Sequence, residues 1–129
     1  RPLNPATLQG TASAYACAPG AGILWQQQAP AWLAALGFAP QELQDAPGLV
    51  VARTIAMLIN EAADAVQQGV CSADAANAAM KLGVNYPAGP FEWLQGWSVE
   101  GVVAVLRALD AHYRGERYRA SPWLLRRTA

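Results

Sequence analysis

Charge is what this 129-residue sequence has least of. Charged residues make up 14%, against roughly 25% in an average soluble domain. Nine basic residues balance nine acidic ones, and zero net charge excludes a general nucleic-acid binder, which needs surplus Lys and Arg to displace counterions from phosphates. Cysteine is scarce as well. Cys17 and Cys71 are the only two and form no C-x-x-C pair, so no metal site is legible; both read as buried reduced thiols, with a disulfide between them left open. Long apolar runs are also missing. The stretch from Pro2 to Gln41 carries no charge, yet Pro5, Pro19, Gly20, Gly22 and Pro30 break it and Gln26, Gln27 and Gln28 interrupt it. Nothing approaches the ~20 apolar residues that a membrane span requires. A secretory leader fits poorly too, because Arg1 is followed by proline and polar residues. The expectation is a cytoplasmic protein without membrane contact. The first residue is Arg rather than Met, and the reading is a piece of a longer polypeptide whose neighbouring segment covers the uncharged head.

Apolar residues are plentiful at 53%, which excludes intrinsic disorder and gives a single chain of this size material for one core. From Pro47 onwards the pattern is helical. A run from Leu49 to Gln68 has no internal breaker, is apolar nearly all round in its first half, and meets a stop at Gly69. Ser72, with Asp74 behind it, starts a second helix to Leu82 and Gly83. Asn85–Pro90 is a rigid turn, and Pro90 opens a short helix over Phe91–Gln95. Ser98 with Glu100 caps another helix, whose apolar stripe is Val99, Val102, Val103, Leu106, Leu109 and Tyr113 and whose end is Gly115. Trp123–Arg127 makes a last helical piece. In the head, Ala31–Leu36 predicts a short helix ending at Gly37. Phe38–Leu43 predicts a strand that Pro40 pushes to an edge.

Four ordered blocks resemble the 3-hydroxyacyl-CoA dehydrogenase family. They are Asp45-Ala46-Pro47-Gly48-Leu49-Val50-Val51-Ala52-Arg53; Asn60-Glu61-Ala62 with Gln68-Gly69-Val70; Ala79-Met80-Lys81-Leu82-Gly83 with Tyr86-Pro87-Ala88-Gly89-Pro90-Phe91-Glu92; and Glu116-Arg117-Tyr118-Arg119 with Ser121-Pro122 and Leu124-Leu125-Arg126-Arg127. The resemblance spans some two-thirds of the chain. It implies an all-α fold over residues 46–129, the helical C-terminal dimerisation domain of the 3-hydroxyacyl-CoA and 6-phosphogluconate dehydrogenase type. Residues 1–45 then form an extension, the truncated end of a preceding Rossmann-like unit. The family oxidises 3-hydroxyacyl-CoA to 3-oxoacyl-CoA with NAD, in fatty-acid or aromatic-acid catabolism. The resemblance places the NAD site and a catalytic histidine–glutamate pair in a Rossmann domain outside this chain.

One departure stands out. The family's V-N-R motif on the first long helix reads Val51-Ala52-Arg53 here, so the asparagine beside the reacting carbonyl is replaced by a methyl group that cannot donate to an oxyanion. No G-x-G-x-x-G is present, and the single histidine, His112, reads as a surface helix residue. These departures imply no catalytic, cofactor-binding or metal-binding residue in this chain. They suit a second, non-catalytic copy of the helical domain, inactive alone, that forms a homodimer or pseudo-dimer and shares acyl-CoA with the missing Rossmann domain. The alternative is a stand-alone acyl-CoA binding or interaction module without catalysis. Arg53, Asn60 and Glu61 are the substrate or interface candidates. Arg53 meets either a CoA phosphate or, preferably, a carboxylate such as Glu61 or Asp64. Asn60 and Glu61 tie the long helix to a loop or a dimer mate. Tyr86, Pro87, Gly89 and Pro90 fix a structural turn. The tail arginines read as a closing motif favoured by helix C-termini.

Overall fold

The computed structural model describes residues 10–128. The chain divides into two compact units, one up to Leu49 and one from Val50.

The first unit is a β-α-β arrangement. Strand β1 (Ala12–Tyr15) and strand β2 (Ala39–Glu42) lie parallel, with Ala12 opposite Ala39 and Tyr15 opposite Glu42, and helix α1 (Ile23–Ala35) connects them. β2 sits where Phe38–Leu43 predicts a strand. The amides of Ala39 and Leu43 donate to Thr11 and Tyr15 carbonyls at 2.9 and 2.8 Å. Alternation along the strand then turns the N–H position of Pro40 away from β1, where its missing donor costs no ladder bond. Two features depart from the sequence reading. β1 has no counterpart there, since Ala-Ser-Ala-Tyr has little strand character until β2 pairs with it. α1 also starts eight residues before Ala31 and runs through Pro30; its Ala, Leu and Gln residues favour the helix enough to carry it past one lost backbone bond. No residue of α1 is buried.

The second unit is helical: α2 (Val51–Gln67), α3 (Ala73–Gly83), α4 (Pro90–Trp97), α5 (Val99–Tyr113), a 3-10 turn at Glu116–Tyr118 and α6 (Pro122–Leu125). α2 is central and packs against the other four helices. Its buried residues, Ala56, Ile59, Asn60 and Ala63, follow the three- and four-residue spacing of one helical face. Phe91 and Leu94 of α4, Val102, Val103 and Leu106 of α5, and Leu124 of α6 complete the core. The stripe expected on α5 is buried at Val102, Val103, Leu106 and Leu109, while Tyr113 emerges at 43% exposure. The first turn of α2 is not buried as its composition predicts. Val50 and Val51 remain 53% and 70% exposed, and the fully buried residues of α2 begin only at Ala56.

Short-range signals set most helix boundaries. Ser72 Oγ accepts from the Ala75 amide at 3.1 Å and Ser98 Oγ from the Gly101 amide at 3.2 Å. Past α2, Gly69 at φ +73° lets its own amide reach the Val66 carbonyl and the Val70 amide reach Ala65, a Schellman closure that a side chain would strain. Pro90 is the first residue of α4, which extends two residues beyond Gln95 to Trp97, and Ser98 both closes α4 and opens α5.

Candidate functional site: the first turns of the long helix

Ala52 lies near the start of α2 and, with Val51, Ile55 and Trp97, lines a shallow apolar hollow of about 330 Å³. Of these side chains only the Trp97 indole carries a hydrogen-bonding group. A methyl group at this position gives the hollow apolar contact and no electrostatic stabilisation of developing negative charge.

Arg53, the next residue, turns to other partners than a carboxylate. Its Nη1 donates to the Tyr113 hydroxyl at 3.1 Å, and its guanidinium carbon stands 4.9 Å from the Tyr113 ring centre and 5.4 Å from that of Tyr118. The carboxylates of α2 expected as partners are out of reach for a geometric reason. Glu61 is eight residues along the helix, about 12 Å of axial rise, and is exposed. Asp64 instead pairs with Arg119 at 3.0 Å. Neither charge nor spacing in the sequence marks Tyr113 and Tyr118 as the arginine's neighbours; they come from the end of α5 and the turn after it.

Asn60 is 2% exposed and spends its whole amide on the closing segment. Its Nδ2 donates to the Arg119 carbonyl at 3.0 Å, and its Oδ1 accepts from the Ser121 amide at 2.7 Å. Ser121 is itself fully buried and caps α6 through the Trp123 amide. Arg53, Asn60 and Glu61 therefore do not converge on one point.

Tyr86, Pro87, Gly89 and Pro90 form the bend between α3 and α4. Asn77 Oδ1 accepts from the Phe91 amide at 2.9 Å, the Glu92 carboxylate accepts from the Gly89 amide at 2.9 Å, and Tyr86 packs on Trp93 with ring centres 5.6 Å apart. Lys81 binds the other oxygen of Glu92 at 2.5 Å. Those bonds, Lys81 first and the Gly89 amide next, hold the Glu92 carboxyl below its ordinary pKa.

The remaining chemistry-bearing residues are dispersed. His112 is exposed and meets the Tyr113 ring edge-on, with ring centres 4.7 Å apart. Cys17 and Cys71 are unpaired, half-buried thiols rather than fully buried ones. Among the described residues no cluster of His, Cys, Asp and Glu could hold a metal ion. No helix among them is long and apolar enough to cross a membrane. Several tail arginines have local partners: Arg126 donates to Gln67, and Arg127 stacks on Trp123 at 3.5 Å. A dinucleotide does not fit the β1–α1 connection. Gly20 and Gly22 lie there, but the third glycine position falls on Trp25, and Glu42 at the end of β2 already accepts from the Tyr15 hydroxyl at 3.5 Å.

Comparison with known proteins accounts for this arrangement. Residues 48–129 match the family profile described as 3-hydroxyacyl-CoA dehydrogenase, C-terminal domain. The 3-hydroxyadipyl-CoA dehydrogenase of Escherichia coli is 44% identical over 86 residues, 67% of this chain and 18% of that protein. A probable 3-hydroxybutyryl-CoA dehydrogenase of Deinococcus radiodurans is 35% identical over 89 residues, 69% of this chain and 32% of that protein. The crystal structure of a 3-hydroxybutyryl-CoA dehydrogenase from Escherichia coli superposes with a TM-score of 0.83 at 37% identity, over 92% of this chain and 25% of that one. The chain thus spans between about a fifth and a third of the length of the curated relatives named here.

Proposed function

The chain belongs to the 3-hydroxyacyl-CoA dehydrogenase family, whose C-terminal domain it carries, and from that premise we propose that it is a second, non-catalytic helical copy within a longer NAD-dependent enzyme. The parent oxidises a 3-hydroxyacyl-CoA to the 3-oxoacyl-CoA, and this domain assembles the enzyme and closes the acyl-CoA cleft. Residues 46–129 are the helical domain; residues 1–45 are the end of a Rossmann-like unit, a reading that the parallel β1-α1-β2 arrangement supports.

The observation that carries the proposal is Ala52. It stands in an apolar hollow where the family resemblance puts an asparagine, so the chain offers no amide to the reacting carbonyl. A copy relieved of catalysis keeps packing residues and loses that amide. Relative lengths agree with a duplicated parent. Eighty-six matched residues are only 18% of the Escherichia coli relative, whereas 89 are 32% of the Deinococcus one, so the more similar relative is also much the longer. The names of those two proteins point to short acyl and dicarboxylic acyl thioesters as the substrate class.

NAD is the hydride acceptor that the family implies, and the described residues do not fit it. Its binding is assigned to a part of the parent outside this chain, and the described residues carry out no redox step. Self-association follows from the exposed start of α2: Val50 and Val51 flank the hollow at Ala52, and covering them with a second helical domain recovers roughly 25 cal/mol per Å² of apolar surface.

Light-scattering mass of the chain, with NADH oxidation measured in acetoacetyl-CoA, tests the reading. A dimer that is indifferent to ligand and turns over nothing is expected. Turnover by the chain alone would sink the non-catalytic assignment, and a monomer that binds acetoacetyl-CoA would replace assembly with the binding-module alternative.

A further inference from the structure

Arg53 is held in a way that suits recognition better than packing. A guanidinium has five N–H donors in a rigid fork, and this one spends a single bond, on the Tyr113 hydroxyl. Two tyrosine rings hold its plane, Tyr113 at 4.9 Å and Tyr118 at 5.4 Å. Tyr118 is 2% exposed and therefore a fixed wall, while Tyr113 is open to solvent. Rings of this kind orient the cation without neutralising it. A second guanidinium, Arg117, lies 5.6 Å from the same Tyr118 ring. Neither arginine has a carboxylate within ion-pair distance among the described residues, whose only ion pairs are Lys81–Glu92 and Asp64–Arg119.

We propose that the Arg53–Tyr113–Tyr118 cluster is a binding site for the phosphate group of a small ligand, with the free edge of the Arg53 guanidinium as its anchor. Phosphate fits better than carboxylate on charge. Two arginines gathered about one ring match a dianion, whereas one carboxylate compensates only one of them. Arg53 forms the direct fork, and Arg117 supplies field. The ring clamp lowers the entropy cost of fixing a long side chain, so a bidentate contact keeps more of its strength than at a free surface arginine. The site depends on no catalytic residue and stands apart from the assembly role proposed above.

The test is an NMR titration of the full chain with inorganic phosphate at constant ionic strength, read at the Arg53 Nε–H and the Tyr113 ring. A saturable shift of both is expected with phosphate and not with chloride. Arg53→Lys keeps the charge and loses the fork, so affinity read at the Tyr113 ring should fall about tenfold, the loss of one charge-assisted bond. A shift of equal size with chloride, or Arg53→Lys binding as wild type does, overturns the proposal. The wild-type comparison of phosphate with chloride decides the matter even if a variant fails to fold.

Discussion

Asn60 shows how much one side chain can hold. Its amide satisfies a carbonyl and an amide of the segment that carries Arg119 and Ser121, and both would otherwise be stranded against the middle of α2. Replacing it by alanine removes two bonds and leaves two backbone groups with poor access to water. The expected loss is about 2–4 kcal/mol, seen as a lower urea midpoint with an unchanged slope. A change under about 0.5 kcal/mol would mean that the closing segment contributes nothing to the fold. That Asn60 lies on the long first helix was legible in the sequence; its polar type pointed to solvent, whereas the structure buries it. Its partners were not legible, because they lie 59 and 61 residues away and only packing brings them close.

At the scale of elements, the junction of α3 and α4 is the most constrained. A Cβ added at Gly89 would lie 2.3 Å from Asn77 Oδ1 and 2.5 Å from the Asn77 Cα, and a backbone atom cannot swing aside. Gly89→Ala should cost about 2–3 kcal/mol, measurable as a lowered melting temperature, although φ at Gly89 is −83° and alanine is at ease there. The same junction has a pH signature. The carboxyl of Glu92 is held below its ordinary pKa, by Lys81 first and then by the Gly89 amide. A depressed carboxylate contributes stability that is present above the unfolded-state pKa and lost as pH falls through the folded one. Wild-type melting should therefore lose an increment on acidification that Glu92→Gln does not lose, with no difference in pH dependence near neutrality. Both partners are substantially exposed, so that increment is small; identical acid profiles for the two proteins would exclude it.

At the scale of the whole chain, the two units differ in what they bury. The unit from Val50 has a contiguous core, whereas no residue of α1 in the first unit is fully buried, and Ile23, Leu24, Trp25 and Trp32, with Leu36 just past its end, are exposed. Local stability follows buried apolar contact. Amides of α1 should exchange with solvent orders of magnitude faster than those of α2 around Ile59, and equal protection in the two helices would refute that ranking. Where the parent supplies a covering segment, α1 protection should rise.

Within this chain, the sequence alone determined whatever is closed over a few residues. Ser72, Ser98 and Gly69 set helix ends through bonds spanning five positions or fewer, Pro90 opens α4 by its fixed φ, the apolar stripe of α5 chose its core face, and four ordered blocks carried the family. The position of Ala52 in the motif was also legible, and with it the missing amide. Tertiary structure alone decided the pairing of β1 with β2, the tyrosine clamp on Arg53, the loop that Asn60 holds and the contact that excludes a side chain at Gly89. Each of these joins residues well apart in sequence, from 12 positions at Asn77–Gly89 to 65 at Arg53–Tyr118. Composition and periodicity record how a residue meets its own helix or strand; which distant side chain it meets depends on how the elements pack.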